Sequence, residues 1–390
     1  MCDDPPTPAS RVDARGRDDK NGEIMTEIVG VGIIGAGAIS GQYLDFFAGQ
    51  PSVRVVALAD ADVDRALATA AARGLRACSV AELLDAVGVD MVVNLTPPAA
   101  HVAVSQAAIA AGKHVYSEKP LALSLDEGRA LLARAERAGV EVGCAPDTFL
   151  GTGLQTTARA LRVGMIGTPV AAMAAWGGPG PELWHPDPQF FYLPGGGPVL
   201  DMGPYYVTAL VTHLGPVTTV TARTMTGDRP RVVGSGPRAG SVLRVETATH
   251  ASALLEHASG ALSTVTLSFE TWASGNQLLE IYGTGGTLQL PDPNHFSLRG
   301  SVFNADSLGR FVELVDGGGF VGAGRGVGAV EMARSVALGR RPRASGALAL
   351  HVTEVLLAIN GARSGDGPVR MTTGADRPDL VPWGADPARV

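Results

Sequence analysis

The sequence predicts an α/β chain. A doubly wound parallel sheet is expected over residues 25–147, followed over residues 148–373 by an α+β unit with an open, largely antiparallel sheet. Three observations predict this. Strands and helices alternate from Ile28 to Pro146, the pattern of βαβ units, whose crossovers impose parallel pairing. From Val217 the chain turns to long runs of period-two alternation separated by short glycine turns, which favours antiparallel pairing. The 390 residues are 45% hydrophobic, enough for two or three domains with large cores.

The elements follow in order. Residues 1–24 are rich in Pro, Asp and Arg and lack the apolar run of a signal peptide, so they read as a disordered extension, with Met25 an alternative start. The run IVGVGIIGAG from Ile28 is a buried parallel strand ending in glycines. A helix over Ile39–Ala48 follows, then a strand over Val53–Asp60 and helices over Asp64–Gly74 and Val80–Val87. Met91–Pro98 is a strand stopped by proline, His101–Ala111 a helix closed by Gly112, and His114–Pro120 a strand. A helix over Leu125–Ala138 and a strand over Val140–Pro146 complete the unit. Beyond it, Thr152–Val163 is a helix, and Met165–Leu200, rich in Gly, Pro and aromatics, is expected to form ordered loops. The strands from Val217 precede helices over Val327–Leu338 and Ala347–Ser364, and the Pro-rich tail 374–390 is expected to wrap the surface.

Composition removes several functions. A net charge of −7 and a pI near 5.6 do not favour phosphate backbones, so nucleic acid is not an expected partner. No apolar run is long enough to span a membrane. The cysteines Cys2, Cys78 and Cys144 are sparse and unpaired in spacing, which fits a reducing, cytoplasmic setting and small buried side chains. No set of His, Cys, Asp and Glu has metal-ligand spacing, and no G-x-S-x-G elbow occurs.

Gly35-Ala36-Gly37-Ala38-Ile39-Ser40 follows a strand and opens a helix. Gly35 allows the tight turn, Gly37 lets a pyrophosphate approach the backbone, and the helix N-terminal amides meet its charge. Ser40 takes the place of the usual third glycine and is small enough to keep helix and strand close. Asp60 ends the second strand, 25 residues beyond Gly35. An acid there accepts hydrogen bonds from ribose hydroxyls and repels a 2′-phosphate, so the loop reads as a Rossmann dinucleotide site that favours NAD. Arg65 nearby leaves NADP open.

The segments NLTPPAAH (Asn94–His101), AGKHVYSEKPLALS (Ala111–Ser124), GGGPVLDMGPYY (Gly195–Tyr206) and LLEIYGTGGTLQL resemble the Gfo/Idh/MocA oxidoreductases, and the similarity runs from Met25 to about Thr373. The resemblance implies a nucleotide domain before a larger sheet domain, a sugar, cyclitol or related polyol bound between them, and a homodimer or homotetramer built on the open sheet. It implies cofactor contacts from Gly35, Gly37, Ala38, Ile39, Asp60, Thr96, Pro97, His101, Glu118 and Lys119, and a cis bond between Lys119 and Pro120.

Oxidising an alcohol requires a group within hydrogen-bond reach of the hydroxyl that loses its proton. Lys119, just past a parallel strand, stands at the edge where open α/β sheets bind ligands. Beside a cationic nicotinamide its pKa is expected to fall, so that it serves as base or as a cation polarising the substrate oxygen. Asp201 and Tyr205 lie four apart, on one face of a helix expected to begin near Asp201. Many family members carry a His where Tyr205 stands, and an Asp at the place of Thr208. The departure matches the branch of the family with a catalytic Tyr. Tyr205 is therefore the expected proton donor and acceptor, Lys119 its tuner, and Asp201 the residue that positions either. Tyr206 is the rival, about 100° away around the helix. Trp184, His185 and Asp147 are further candidates for contacting substrate, while His250, His257 and His351 read as structural. The leading expectation is an NAD(P)-dependent dehydrogenase. The alternatives are a nucleotide-binding sensor without turnover and an NAD-dependent glycosidase.

Overall fold

The computed structural model describes residues 28–275 and 279–389; the proposed extension 1–24, Met25 and Cys2 lie outside them. The first unit runs β1 (Val29–Ile34), α1 (Ser40–Ala48), β2 (Val53–Ala59), α2 (Val63–Arg73), α3 (Val80–Asp85), β3 (Met91–Asn94), α4 (His101–Ala110), β4 (His114–Ser117), α5 (Leu125–Ala138) and β5 (Val142–Cys144). Its strands form one parallel sheet in the order β2-β1-β3-β4-β5. The strands are short and apolar because both faces are covered. Tyr43, Leu44 and Phe47 of α1 and Ala70 of α2 pack on one face, and Leu83, Ile109 and Leu131 of α3, α4 and α5 on the other. The helix ends follow local rules. Ser79 and Glu82 close a capping box on α3, and α5 starts on Ser124 and stops at Gly139 in the left-handed conformation.

The second unit holds α6 (Thr152–Arg162), β6 (Pro169–Gly177), α7 (Gly197–Asp201), α8 (Gly203–Leu214), β7 (Val217–Met225), β8 (His250–His257), β9 (Leu262–Ser268), β10 (Leu279–Gly283), β11 (Gly286–Gln289), β12 (Ser301–Asn304), β13 (Val312–Glu313), α9 (Val327–Ala337), α10 (Gly346–Asn360) and β14 (Val369–Arg370). The sheet order is β13-β12-β11-β10-β6-β9-β8-β7-β14. Every pair is antiparallel except β6 with β9.

β6 corrects the expectation that Met165–Leu200 is all loop. Its sequence PVAAMAAWG alternates little in hydropathy because small alanines occupy both faces, yet it is a central strand, bonded on both edges. On its inner face Ala172 and Ala174 join Val220, Leu255 and Val265 in the main core with Tyr206, Leu210 and Leu356 of α8 and α10. On the outer face Met173, Leu254 and Leu262 stay exposed.

The last helices return to the first unit. Val327, Val330 and Met332 of α9 join the core beneath β1, β3 and β4, and Cys144 donates its N–H to the Ala344 carbonyl at 3.0 Å. A Cβ on Gly143 would sit 2.7 Å from the Met332 sulfur, so glycine is what lets this helix close on β5. The tail is pinned as well as wrapped: Val381 is fully buried and donates to Gln155 Oε1 at 2.7 Å. Among the described residues no helix is long and apolar enough to cross a membrane.

Candidate active site

The carboxyl ends of β1, β3 and β4 lie side by side, so three loops meet there. Gly35 has φ +111°, and a Cβ on it would lie 2.6 Å from the Leu95 carbonyl, so only glycine turns the chain past β3. Gly37 differs: a Cβ there would meet nothing within 4 Å, and Ala38 beside it is exposed. Among the described residues the amides of Gly37, Ala38 and Ile39 donate to no protein acceptor. Free amides beside an open glycine fit the pyrophosphate of a dinucleotide. Ser40 is buried and donates its hydroxyl to the Gly37 carbonyl at 2.7 Å, a bond a third glycine would not make. Asp60 lies beside this loop, accepting from the Ala36 N–H at 2.6 Å and the Asp62 N–H at 2.8 Å, with Arg65 3.5 Å from its carboxylate.

The next two loops are clamped together. Asn94 accepts from the Thr96 N–H and hydroxyl and donates to the His101 carbonyl at 2.9 Å. Both His101 ring nitrogens lie 2.7 Å from backbone carbonyls, those of Pro120 and Thr96, and the ring is sealed from solvent. The expected direct cofactor contact of His101 is therefore corrected. Its ring holds two loops in place, while Thr96 is partly open to solvent and Pro97 is exposed. Glu118 accepts from the Tyr43 hydroxyl of α1 at 2.8 Å and from the Lys119 N–H at 3.0 Å. The Lys119–Pro120 bond is cis.

Lys119 reaches across to the second unit. Its ammonium donates to the Asp201 carbonyl at 2.7 Å and the Asp201 carboxylate at 3.0 Å. Burial alone pushes this amine down, but Asp201, with Tyr205 and Glu118, pulls it above its ordinary value. The expected fall belongs to Lys119 beside a cationic nicotinamide; the protein's own groups act in the opposite direction and hold Lys119 as a cation. The expected single helix also divides. Asp201 ends α7 and Tyr205 lies in the first turn of α8: Pro204 has no N–H to continue the α7 ladder, the break falls at Met202, and Gly203 opens α8 where a Cβ would meet Leu356 of α10 at 2.5 Å. Asp201 and Tyr205 nonetheless both reach Lys119, whose Nζ lies 5.3 Å from the Tyr205 ring centre. The Tyr205 hydroxyl has no protein hydrogen-bond partner among the described residues and is not sealed off, whereas the Tyr206 hydroxyl is completely buried. That separates the two tyrosines: only Tyr205 can meet a ligand. Burial raises its phenol, and Lys119 and then Arg325 oppose the rise.

The family model for the NAD-binding Rossmann domain of the GFO/IDH/MocA oxidoreductases matches residues 29–145, and the model for the family's C-terminal domain matches residues 154–289. The chain belongs to this family. It is 31% identical to D-apiose dehydrogenase of Paraburkholderia graminis over 66% of each chain. It is 33% identical to 1,5-anhydro-D-fructose reductase of Ensifer adhaerens over 36% of this chain and 43% of that protein. The sequence matches thus span at most about two thirds of these two relatives. A solved NAD-binding oxidoreductase from Klebsiella pneumoniae superposes with a TM-score of 0.75 at 25% identity, covering 88% of this chain and 99% of that one.

This GFO/IDH/MocA chain uses Asp147 differently from the sequence expectation. Its carboxylate is fully buried and accepts from the Gly326 and Gly328 amides at 3.0 Å, which anchors the start of α9. Substrate contact by Asp147 is corrected accordingly. Trp184 and His185 lie in an aromatic cluster with Phe190 and Phe191, and His185 Nδ1 accepts from the Asp187 N–H. Among the described residues neither bonds or stacks with Lys119, Asp201 or Tyr205, though Trp184 is 66% exposed. Their segment is held from below by Arg231, Glu182 and Tyr192, all fully buried, with Arg231 and Glu182 paired at 3.2 Å. His257 and His351 are buried and bonded within the fold, as expected of structural residues.

Sequence reasoning missed Arg325 and Tyr43. Arg325, in the glycine-rich loop before α9, places its guanidinium 5.1 Å from the Tyr205 ring centre and donates to Asn294. No motif marks it. Tyr43 had a signal: it follows Ser40 by three positions, one helical turn on from the glycine loop.

Proposed function

We propose that the protein is an NAD(P)-dependent oxidoreductase moving a hydride between nicotinamide and a CH–OH or C=O group of a sugar, cyclitol or related polyol. The observation that carries this reading is the open Tyr205 hydroxyl beside the Lys119–Asp201 pair, at the strand ends where the glycine loop, Thr96 and Glu118 converge. The relatives named as a dehydrogenase and a reductase of sugars support the substrate class. When bound, the nicotinamide supplies the hydride acceptor or donor.

The chain's own residues handle the proton. In reduction Tyr205 gives its phenolic proton to the oxygen that was the carbonyl, and in oxidation the tyrosinate takes the proton from the substrate hydroxyl. The Lys119 ammonium stabilises negative charge developing on that oxygen. Asp201 fixes the direction of the ammonium. Asp60 holds its carboxylate beside the loop, repels a 2′-phosphate and keeps Arg65 3.5 Å away as its own partner, which favours NAD. The exposed outer face bearing Met173, Leu254 and Leu262 is read as the surface on which copies of the chain associate.

The test is nicotinamide absorbance with a panel of sugars and polyols, comparing the natural chain with Tyr205→Phe and Lys119→Met. Turnover that Tyr205→Phe lowers by about 100-fold or more, with cofactor still bound, supports the assignment. Cofactor binding without turnover across the panel favours a sensor. Release of nitrophenol from a glycoside without net NADH points to a glycosidase.

A further inference from the structure

Tyr205 has an unusual neighbourhood for a side chain only 7% exposed. Two cations lie against its ring: the Lys119 ammonium at 5.3 Å and the Arg325 guanidinium at 5.1 Å. Lys119 is already neutralised by Asp201 at 3.0 Å. Arg325 is not: among the described residues it forms no ion pair, and its one hydrogen-bond acceptor is the neutral amide oxygen of Asn294. The Phe296 ring, 5.6 Å away, borders it on another side. The loop carrying Arg325 is fixed at both ends of the contact. Gly326 next to it is bonded to Asp147, and a Cβ on Gly324 would lie 3.2 Å from Phe46 of α1. Asp147 and Glu118 act on this arginine only from beyond ion-pair distance, so a guanidinium held half-buried 5.1 Å from the Tyr205 ring centre keeps much of its charge for that ring.

We infer that Arg325 is a positioning residue for the reaction: its guanidinium, seated against Tyr205, favours proton loss from the phenol and so lets Tyr205 exchange a proton within the working pH range. The inference rests on the reading of Tyr205 as the proton-transfer group. Four charged groups face Tyr205. Lys119 and Glu118 come from the end of β4, Asp201 from α7 and Arg325 from the loop before α9. Burial pushes the phenol up, the two cations oppose it, and the two carboxylates add to the rise. Arg325 is the cation with no carboxylate at ion-pair distance among the described residues, Asp147 and Glu118 acting on it from farther away.

The experiment uses Arg325→Gln and Arg325→Lys in the full chain with cofactor, and reads two quantities. One is the pH dependence of kcat. The other is the tyrosinate absorbance titration, taken as the difference between each protein and the same protein carrying Tyr205→Phe, which isolates one tyrosine from the six in the sequence. The Arg325→Gln change is expected to move both midpoints up by about one pH unit, the scale of one charge at this distance in a partly open site. The Arg325→Lys change is expected to restore most of the shift. Unmoved midpoints in Arg325→Gln overturn the inference. So does a rise in KM alone, which would make Arg325 a ligand-binding group instead. If Tyr205→Phe keeps full turnover, the Tyr205 reading fails. If Tyr205→Phe loses turnover while Arg325→Gln moves nothing, only the Arg325 inference fails.

Discussion

Replacing Asp201 with Asn should turn Lys119 from a permanent cation into a titrating amine. The substitution removes a full charge 3.0 Å from Nζ but keeps the backbone carbonyl that accepts at 2.7 Å, so the ammonium stays in place. At 3.0 Å two unit charges interact by about 1.4 kcal/mol in bulk water and by about 5.5 kcal/mol at an effective dielectric of about 20. The side chains are 16% and 28% exposed, between those limits. An intermediate value of about 3 kcal/mol corresponds to roughly two pH units. Asp201 pulls Lys119 above its ordinary value against the effect of burial, so the variant should titrate near or below the ordinary 10.5. The sequence contains only three lysines, Lys20, Lys113 and Lys119, so lysine-labelled protein gives three side-chain NMR signals to follow against pH. The Lys119 signal of the natural chain should stay in its protonated position across the accessible alkaline range. In Asp201→Asn it should move with a clear midpoint. Two proteins whose Lys119 signals titrate alike would refute the ion-pair account of this site.

Other expectations follow from the same geometry. Gly35→Ala should lower stability by about 2 kcal/mol or more, because its positive φ and the Leu95 contact are both violated. Gly37→Ala, with open space around the new methyl, should melt like the natural chain but bind NAD about tenfold or more weakly; thermal melts and cofactor titration of the pair check this, and normal NAD binding by Gly37→Ala would remove the loop from the cofactor site. Asp60→Ser should raise the ratio of kcat/KM for NADP over NAD by about tenfold, a change of about 1.4 kcal/mol, by releasing Arg65; an unchanged ratio would leave Asp60 with a role in loop structure alone. Burial pushes His213 down from 6.5 to about 4, against hydrogen bonds from its surroundings. The unfolded chain therefore binds the extra proton first. About 3 kcal/mol of stability is present above pH 6.5 and is lost as pH falls toward 4. Urea unfolding across that window should show the slope, and His213→Gln should flatten it.

What the sequence revealed depended on how local each constraint is. The turn at Gly35 is fixed by backbone sterics within a few residues, so the strand, glycine loop and α1 were legible. The candidates Lys119 and Tyr205 came from recurrent segments, and the fold sets the Lys119 ammonium 5.3 Å from the Tyr205 ring centre. Asp147 misled because an acid at a strand end looks the same whether it faces a cleft or the amides of Gly326 and Gly328, some 180 positions later. His101 misled in a related way: its spacing marks the site, but backbone carbonyls occupy both nitrogens. β6 escaped because alanines give no alternation to read. Arg325 escaped because its meaning lies wholly in a contact with a residue 120 positions earlier, through a glycine-rich loop without periodicity.

The return of α9 and α10 onto β4 and β5 bears on how the chain is made. A ribosome releases β1 through β5 first, but the face of that sheet bearing Tyr116 and Gly143 meets its covering helix only when residues 327–337 emerge. Until then the flank of the cofactor-binding unit is apolar and open, and the Asp147 carboxylate waits for its two amides. Folding of the first-made domain is therefore completed by the last-made helices. A stalled or proteolysed chain ending within the second unit should be caught by chaperones instead of persisting as a half-protein that binds NAD.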